Sequence, residues 1–173
     1  MASIIDFQSA LKESARGTQF RVTINFPTSV ANGVEATRVS TFLTYEGRIP
    51  QVTVTDIVLK YRGKQYHEAG DKEFQTWGCS IYNDIDFTVR GALEDWSELI
   101  RSGDSTDGAS YPTEYKSTVT IEQLNRAGDT VRTYTLHGAW PSDLGEIALN
   151  FDGSEIENYQ ATFTYDYFTS ASE

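Results

Sequence analysis

The sequence predicts a mainly β fold, a β-sandwich or barrel-like subunit with one long flanking α-helix and a short amino-terminal helix. Three observations carry this. Apolar and polar residues alternate over several separate runs, the period of a strand with one buried and one wet face. Ten Tyr, nine Phe and three Trp in 173 residues, with plentiful Thr and Val, suit a pleated, half-buried surface. Helical spacing of three and four, by contrast, is confined to two stretches.

Taken in order, Ile4, Phe7 and Leu11 form the apolar face of a short helix, closed by the polar segment 12–17. Phe20, Val22, Ile24 and Phe26 then alternate with Arg21, Thr23 and Asn25, a strand ended by Pro27. The less regular stretch 31–44 is read as containing another strand. The run QVTVTDIVLKYRGKQY, from Gln51 to Tyr66, reads as a long projecting hairpin turning at Arg62-Gly63-Lys64, where glycine supplies positive φ without steric cost.

A strand is expected over 74–82, followed by the best helix in the chain over 86–101. Asn83, Asp84 and Asp86 are its N-cap candidates and Gly103 its stop, and Val89, Leu93, Trp96 and Ile100 form its buried face. Residues 102–112, rich in Ser, Gly and Asp, read as a flexible surface loop. Strands 114–124 and 130–137, separated by Asn-Arg-Ala-Gly-Asp, make a hairpin. Gly138-Ala139-Trp140-Pro141 is expected to break the pattern, a short strand to follow at 147–151, and a final strand to run from Tyr159 to Tyr167. The whole, 1–173, is expected to be one domain with a flexible tail over 169–173.

Composition narrows function. Acidic residues outnumber basic ones 25 to 14, for a net charge of −11, which disfavours phosphate-backbone binding. After His137 there are seven acids, Asp143, Glu146, Asp152, Glu155, Glu157, Asp166 and Glu173, and no Lys or Arg. Such a run reads either as a solvated face or as a surface facing something that must not stick. The single cysteine, Cys79, cannot form an internal disulfide, and no signal-peptide pattern or bilayer-length apolar run is present. The expected setting is the cytoplasm or a particle assembled there, with no membrane role.

Catalytic and cofactor motifs are missing. His67 and His137 are the only histidines, no zinc pattern occurs, and GDKEFQTWG lacks the Gly-Lys-Ser/Thr ending of a phosphate loop. Acid pairs such as Glu114 and Glu122, or Asp152 and Glu155, are expected by chance in so acidic a chain, and Asp152-Gly153-Ser154-Glu155 offers only an incidental cation contact. No enzyme, cofactor or metal is expected.

Two stretches carry a resemblance. AGDKEFQTWGCSIYND at 69–84, leading into the helix with Asp95-Trp96, resembles the tail tube proteins of contractile-tailed phages. From Pro112, the segments PTEYK, LHGAWPSDLGEIALNF and the closing Tyr165-Asp166-Tyr167 resemble that family in the same order. The resemblance implies a ring-forming subunit, six copies of which join edge to edge, with rings stacked into a tube inside the virion tail. It implies as partners the chain itself, a tail sheath, a baseplate initiator, a tape-measure protein, and DNA as a transient passenger in an acidic channel.

On this reading the hairpin residues Tyr61, Arg62, Gly63, Lys64, Gln65 and Tyr66 reach the next ring, because an isolated two-stranded projection is poorly supported in water. Trp77, Trp96, Trp140 and Pro141 are packing residues. The rival within the class is the inner tube of a contractile injection or secretion device. From other classes, a carbohydrate-binding β-sandwich would also be acidic and aromatic, and a glycosidase is a more distant third.

Overall fold

The computed structural model describes residues 3–11, 15–102, 108–109, 111–151 and 155–172. In chain order the elements are α1 (Ile4–Leu11), β1 (Phe20–Ile24), α2 (Gly33–Leu43), β2 (Thr44–Glu46), β3 (Val52–Tyr61), β4 (Lys64–Phe74), β5 (Trp77–Tyr82) and α3 (Thr88–Ile100). A single helical turn, α4 (Pro112–Tyr115), precedes β6 (Ser117–Leu124), β7 (Thr130–Leu144), β8 (Asn158–Thr164) and β9 (Tyr167–Ser172).

Among the described residues, seven strands form one antiparallel sheet. Its order is β1-β6-β7-β8-β5-β2, with β9 on the other side of the first half of β7. β7 holds this together by changing partners along its length: Arg132 to His137 pair with β9, and Trp140 to Leu144 pair with β8. The change falls at Gly138, whose φ of 67° glycine adopts without cost. The two outermost strands, β1 and β2, are joined by α2, and the end of β2 comes back to β1. A Cβ added to Gly47 would lie 3.2 Å from Val22 Cγ2. The sheet is therefore barrel-like and nearly closed.

Alternation places the core inside this curve. Val22 and Ile24 of β1, Val119 and Ile121 of β6, Leu136 of β7, Ala161 and Phe163 of β8 and Cys79 and Ile81 of β5 are all buried, and α3 adds Val89, Leu93 and Trp96. The carboxylate of Asp84 starts α3 by accepting from Thr88 N at 3.0 Å and Thr88 Oγ1 at 2.6 Å, which satisfies an N-terminal donor. Asn83 and Asp86 do not cap it, and Phe87 occupies the N-cap position with φ of 51°.

Several sequence expectations are corrected. The stretch 31–44 is mostly the helix α2 rather than a strand. Its β-branched residues are outweighed by the small buried Gly33, Ala36 and Ser40, whose spacing lets a helix lie close on β1. Glu114 stands in the turn α4, so β6 begins only at Ser117. β7 runs through Trp140 and Pro141 to Leu144, because a strand that changes partner tolerates proline where its neighbour does not require the N–H. Residues 147–151 form no strand. The segment 169–172, expected to be a flexible tail, is paired within β9 with Thr135 to Arg132 of β7. Gly103, most of the 102–112 loop and Asp152-Gly153-Ser154 lie outside the described residues.

Candidate functional site

Among the described residues the feature that stands out is an arm. β3 and β4 form a two-stranded sheet of their own, paired from Val52↔Phe74 to Tyr61↔Lys64. Arg62 and Gly63 have φ of 48° and 80°, the two positive values of a type I′ hairpin turn, whose twist matches the strands. The arm is longer than the sequence reading, which ended it at Tyr66. Gly70 and the charges beyond His67 interrupt the alternation, and a bulge between Val54 and Asp56 absorbs them. Gly70 is needed there because any Cβ would meet Thr55 Oγ1 at 2.5 Å.

Strand parity gives the arm two faces. One carries Ile57, Leu59, Tyr61 and Tyr66 together with the charged Lys64 and Glu68, and the other Asp56, Val58, Lys60, Gln65 and His67. On the polar face His67 Nδ1 lies 2.7 Å from Asp56 Oδ2. The apolar face is bare: Ile57, Leu59, Tyr61 and Tyr66 are exposed by 47, 49, 69 and 63%. Lys60, Arg62 and Lys64 cluster at the tip, with the Arg62 guanidinium 5.3 Å from the centre of the Tyr61 ring.

The arm joins the sheet at Trp77. The Trp77 indole donates to Arg48 O at 2.5 Å and its ring lies 5.9 Å from that of Phe163, which anchors the base. Trp96 is fully buried, 5.4 Å from the Phe26 ring and 6.2 Å from that of Phe163. Trp140 is half-buried edge-on to Tyr115 at 6.4 Å, and Pro141 is buried beside it.

The carboxy-terminal acids do not share one face. Asp166 is held by Lys116, whereas Glu146, Glu155 and Glu157 lie exposed in the segment between β7 and β8. The solvent face of β1, β6, β7 and β9 carries mainly hydroxyls, including Thr23, Thr118, Thr120, Thr133 and Thr135, with one ion pair, Arg21 to Glu122 at 3.4 Å. β9 pairs with β7 alone, so its outer edge is open.

Among the described residues no group of three His, Cys, Asp or Glu side chains could share a metal ion, and no helix is long and apolar enough to cross a membrane. Cys79 is buried, and burial pushes its thiol far above the ordinary range, away from the thiolate that reactivity needs. His137 stacks on Tyr167 at 4.7 Å and meets Thr169 Oγ1 at 2.9 Å, the contacts of a structural histidine.

A family model described as phage tail tube protein matches residues 15–171. The chain belongs to that family. It is 29% identical to the tail tube protein of Serratia phage KSP90 over 100% of this chain and 98% of that one. It is 27% identical to the tail tube protein gp19 of Enterobacteria phage T4 over 69% of this chain and 75% of that one. Among solved structures, the sheath–tube complex of the extracellular contractile injection system PVC matches in fold with TM-score 0.68, 15% identity and full coverage of both chains. The sheath/tube terminator of the same system matches with TM-score 0.69 and 14% identity, covering 94% of this chain and 99% of that one. This tail tube protein is a structural subunit of a virion tail, with the fold of contractile injection tubes, and the family match extends into the amino-terminal third, ahead of the two stretches that carried the resemblance.

Proposed function

We propose that six copies of this tail tube protein join into a ring and that the rings stack into a hollow tube inside a contractile sheath, through which DNA leaves the particle. The observation that carries this is the bare arm: a water-exposed apolar hairpin is a liability in a monomer and an assembly device in a polymer. The open edge of β9 supports lateral joining of the same kind. On this reading the tip from Tyr61 to Tyr66 reaches the next ring, and the partners are the sheath, a baseplate initiator and an internal tape-measure protein.

DNA is a passenger. A subunit of net charge −11 surrounds the channel with negative potential, and a wall mainly of threonine hydroxyls, whose Arg21 is paired with Glu122, offers phosphates little cationic hold. Trp77, Trp96, Trp140 and Pro141 serve packing rather than ligand binding. A phage tail, rather than an injection device, is favoured because the relatives at 27 and 29% identity are phage tail tube proteins. Cryo-electron microscopy of the assembled protein tests the reading: six subunits per ring around an acidic lumen are expected, and another symmetry or a neutral or basic lumen would overturn it.

A further inference from the structure

Resting on the reading that the arm joins successive rings, the opposite end of the sheet is a second exposed surface whose chemistry answers the arm. β5 runs from Trp77, where the arm enters, to Tyr82, which pairs with Asn158. The Tyr82 end is therefore the far pole, about 17 Å along the strand at roughly 3.3 Å per residue. There Asn83 N donates to Glu157 O at 2.9 Å, bringing the turn before α3 against the segment before β8.

That pole is apolar and acidic together. Ile85, Phe87, Leu149, Phe151 and Ile156 are all exposed, and Asp86, Glu155 and Glu157 stand exposed among them. The nearest cation along the chain, Arg90, is already engaged, by Glu94 at 2.7 Å and by Gly145 O at 2.7 Å. Asn83 gives its Nδ2 to Glu157 Oε2 at 2.9 Å, while its Oδ1 is buried with no hydrogen-bond partner, a costly state unless a donor arrives. A hollow lined by Asn83, Asp84, Ile85, Phe87 and Glu157 opens at this point.

We propose that this pole is the acceptor for the arm of a second copy of the chain, with Ile57, Leu59, Tyr61 and Tyr66 packing on Leu149, Phe151 and Ile156 while Arg62 or Lys64 at the tip donates to Glu157 and to the unpaired Asn83 Oδ1. Charge and apolarity match in both halves of the contact. Because donor and acceptor sit at opposite ends of one subunit, the contact is heterologous and does not close on a pair, so it propagates head to tail. Exposed cations at the arm's tip facing exposed acids also make it sensitive to salt, since exposed pairs are screened within about 10 Å at 0.1 M.

The test uses full-length protein carrying Lys64→Cys or Glu155→Cys; the native Cys79 is buried and silent. Co-assembled under mild oxidation, the two variants are expected to form a disulfide-linked heterodimer as the dominant species, with several-fold less product when Lys72→Cys, at the arm's base, replaces Lys64→Cys. In parallel, Lys60→Glu/Arg62→Glu/Lys64→Glu is expected to yield rings without tubes, and adding Glu155→Lys/Glu157→Lys in the same chain to restore tubes. Circular dichroism checks that each variant is folded. Tubes without the Lys64–Glu155 cross-link and without rescue would overturn the acceptor while leaving arm-mediated stacking intact. Wild-type protein that makes no tubes would overturn both.

Discussion

The ammonium of Lys116 sits 2.7 and 2.8 Å from the two carboxylate oxygens of Asp166, clasping the start of β6 to the turn between β8 and β9. Asp166 N in turn donates to His137 O at 2.9 Å. The clasp therefore closes over Gly138, where β7 exchanges one partner for the other.

Gly138→Ala should destabilise the subunit. A Cβ there would fall on the Asp166 carboxylate, and the left-handed backbone alone costs a non-glycine residue about 1–2 kcal/mol. Urea denaturation should show a loss of about 1–3 kcal/mol. In an Asp166→Ala background the added loss should shrink toward the backbone part.

Ser40→Ala should cost more than an ordinary buried Ser→Ala change. Ser40 Oγ accepts from Ile24 N at 3.3 Å while donating to Thr37 O at 2.8 Å, and Thr37 Oγ1 accepts from Phe26 N at 3.3 Å. The helix thereby covers the outer edge of β1. Removing the hydroxyl leaves a buried amide unpaired, a loss of about 1–3 kcal/mol readable in the same denaturation experiment.

This covering also explains what the sequence hid. Strand alternation in β1, β6 and β8, the apolar face of α3 and the turn at Arg62-Gly63 were legible because each is a local pattern. α2 was not, because Thr37 and Ser40 look like strand or loop residues until their hydroxyls find the edge of β1, some 16 positions away in the case of Ser40 and Ile24. β9 was likewise illegible: a short run of Thr, Ser and Ala becomes a strand only because β7 offers an edge. The arm was legible as a hairpin, but the pole proposed as its acceptor was not, since Phe87 and Phe151 come beside Glu157 only in three dimensions.

The tryptophans should rank by burial. Trp96→Ala removes a fully buried ring and the indole donor to Tyr115 O at 2.7 Å, and should cost about 3–5 kcal/mol, near the whole stability of a domain. Trp140→Ala, half-buried, should cost less. Thermal melts of the two variants give the order.

Cys79 should report on unfolding. Burial raises its thiol above the ordinary value of 9.0, so the folded chain keeps the proton that the unfolded chain releases. The resulting stability is fully present below pH 9.0 and is lost as pH rises from there toward the higher folded value. Cys79→Ala should weaken that alkaline dependence. In the native protein, labelling by a thiol reagent near pH 8 should proceed only at the rate of opening.

The most direct measurement of the central claim is electron microscopy of the purified wild-type chain beside a Leu59→Ser/Tyr61→Ser/Tyr66→Ser variant. These side chains are exposed, so the three changes together should alter stability by no more than about 1.5 kcal/mol. The account predicts sixfold rings stacked into tubes for the wild type, and folded subunits or single rings without tubes for the variant. Tubes of unchanged length from the variant, or a wild type that stays monomeric at every concentration, would contradict it.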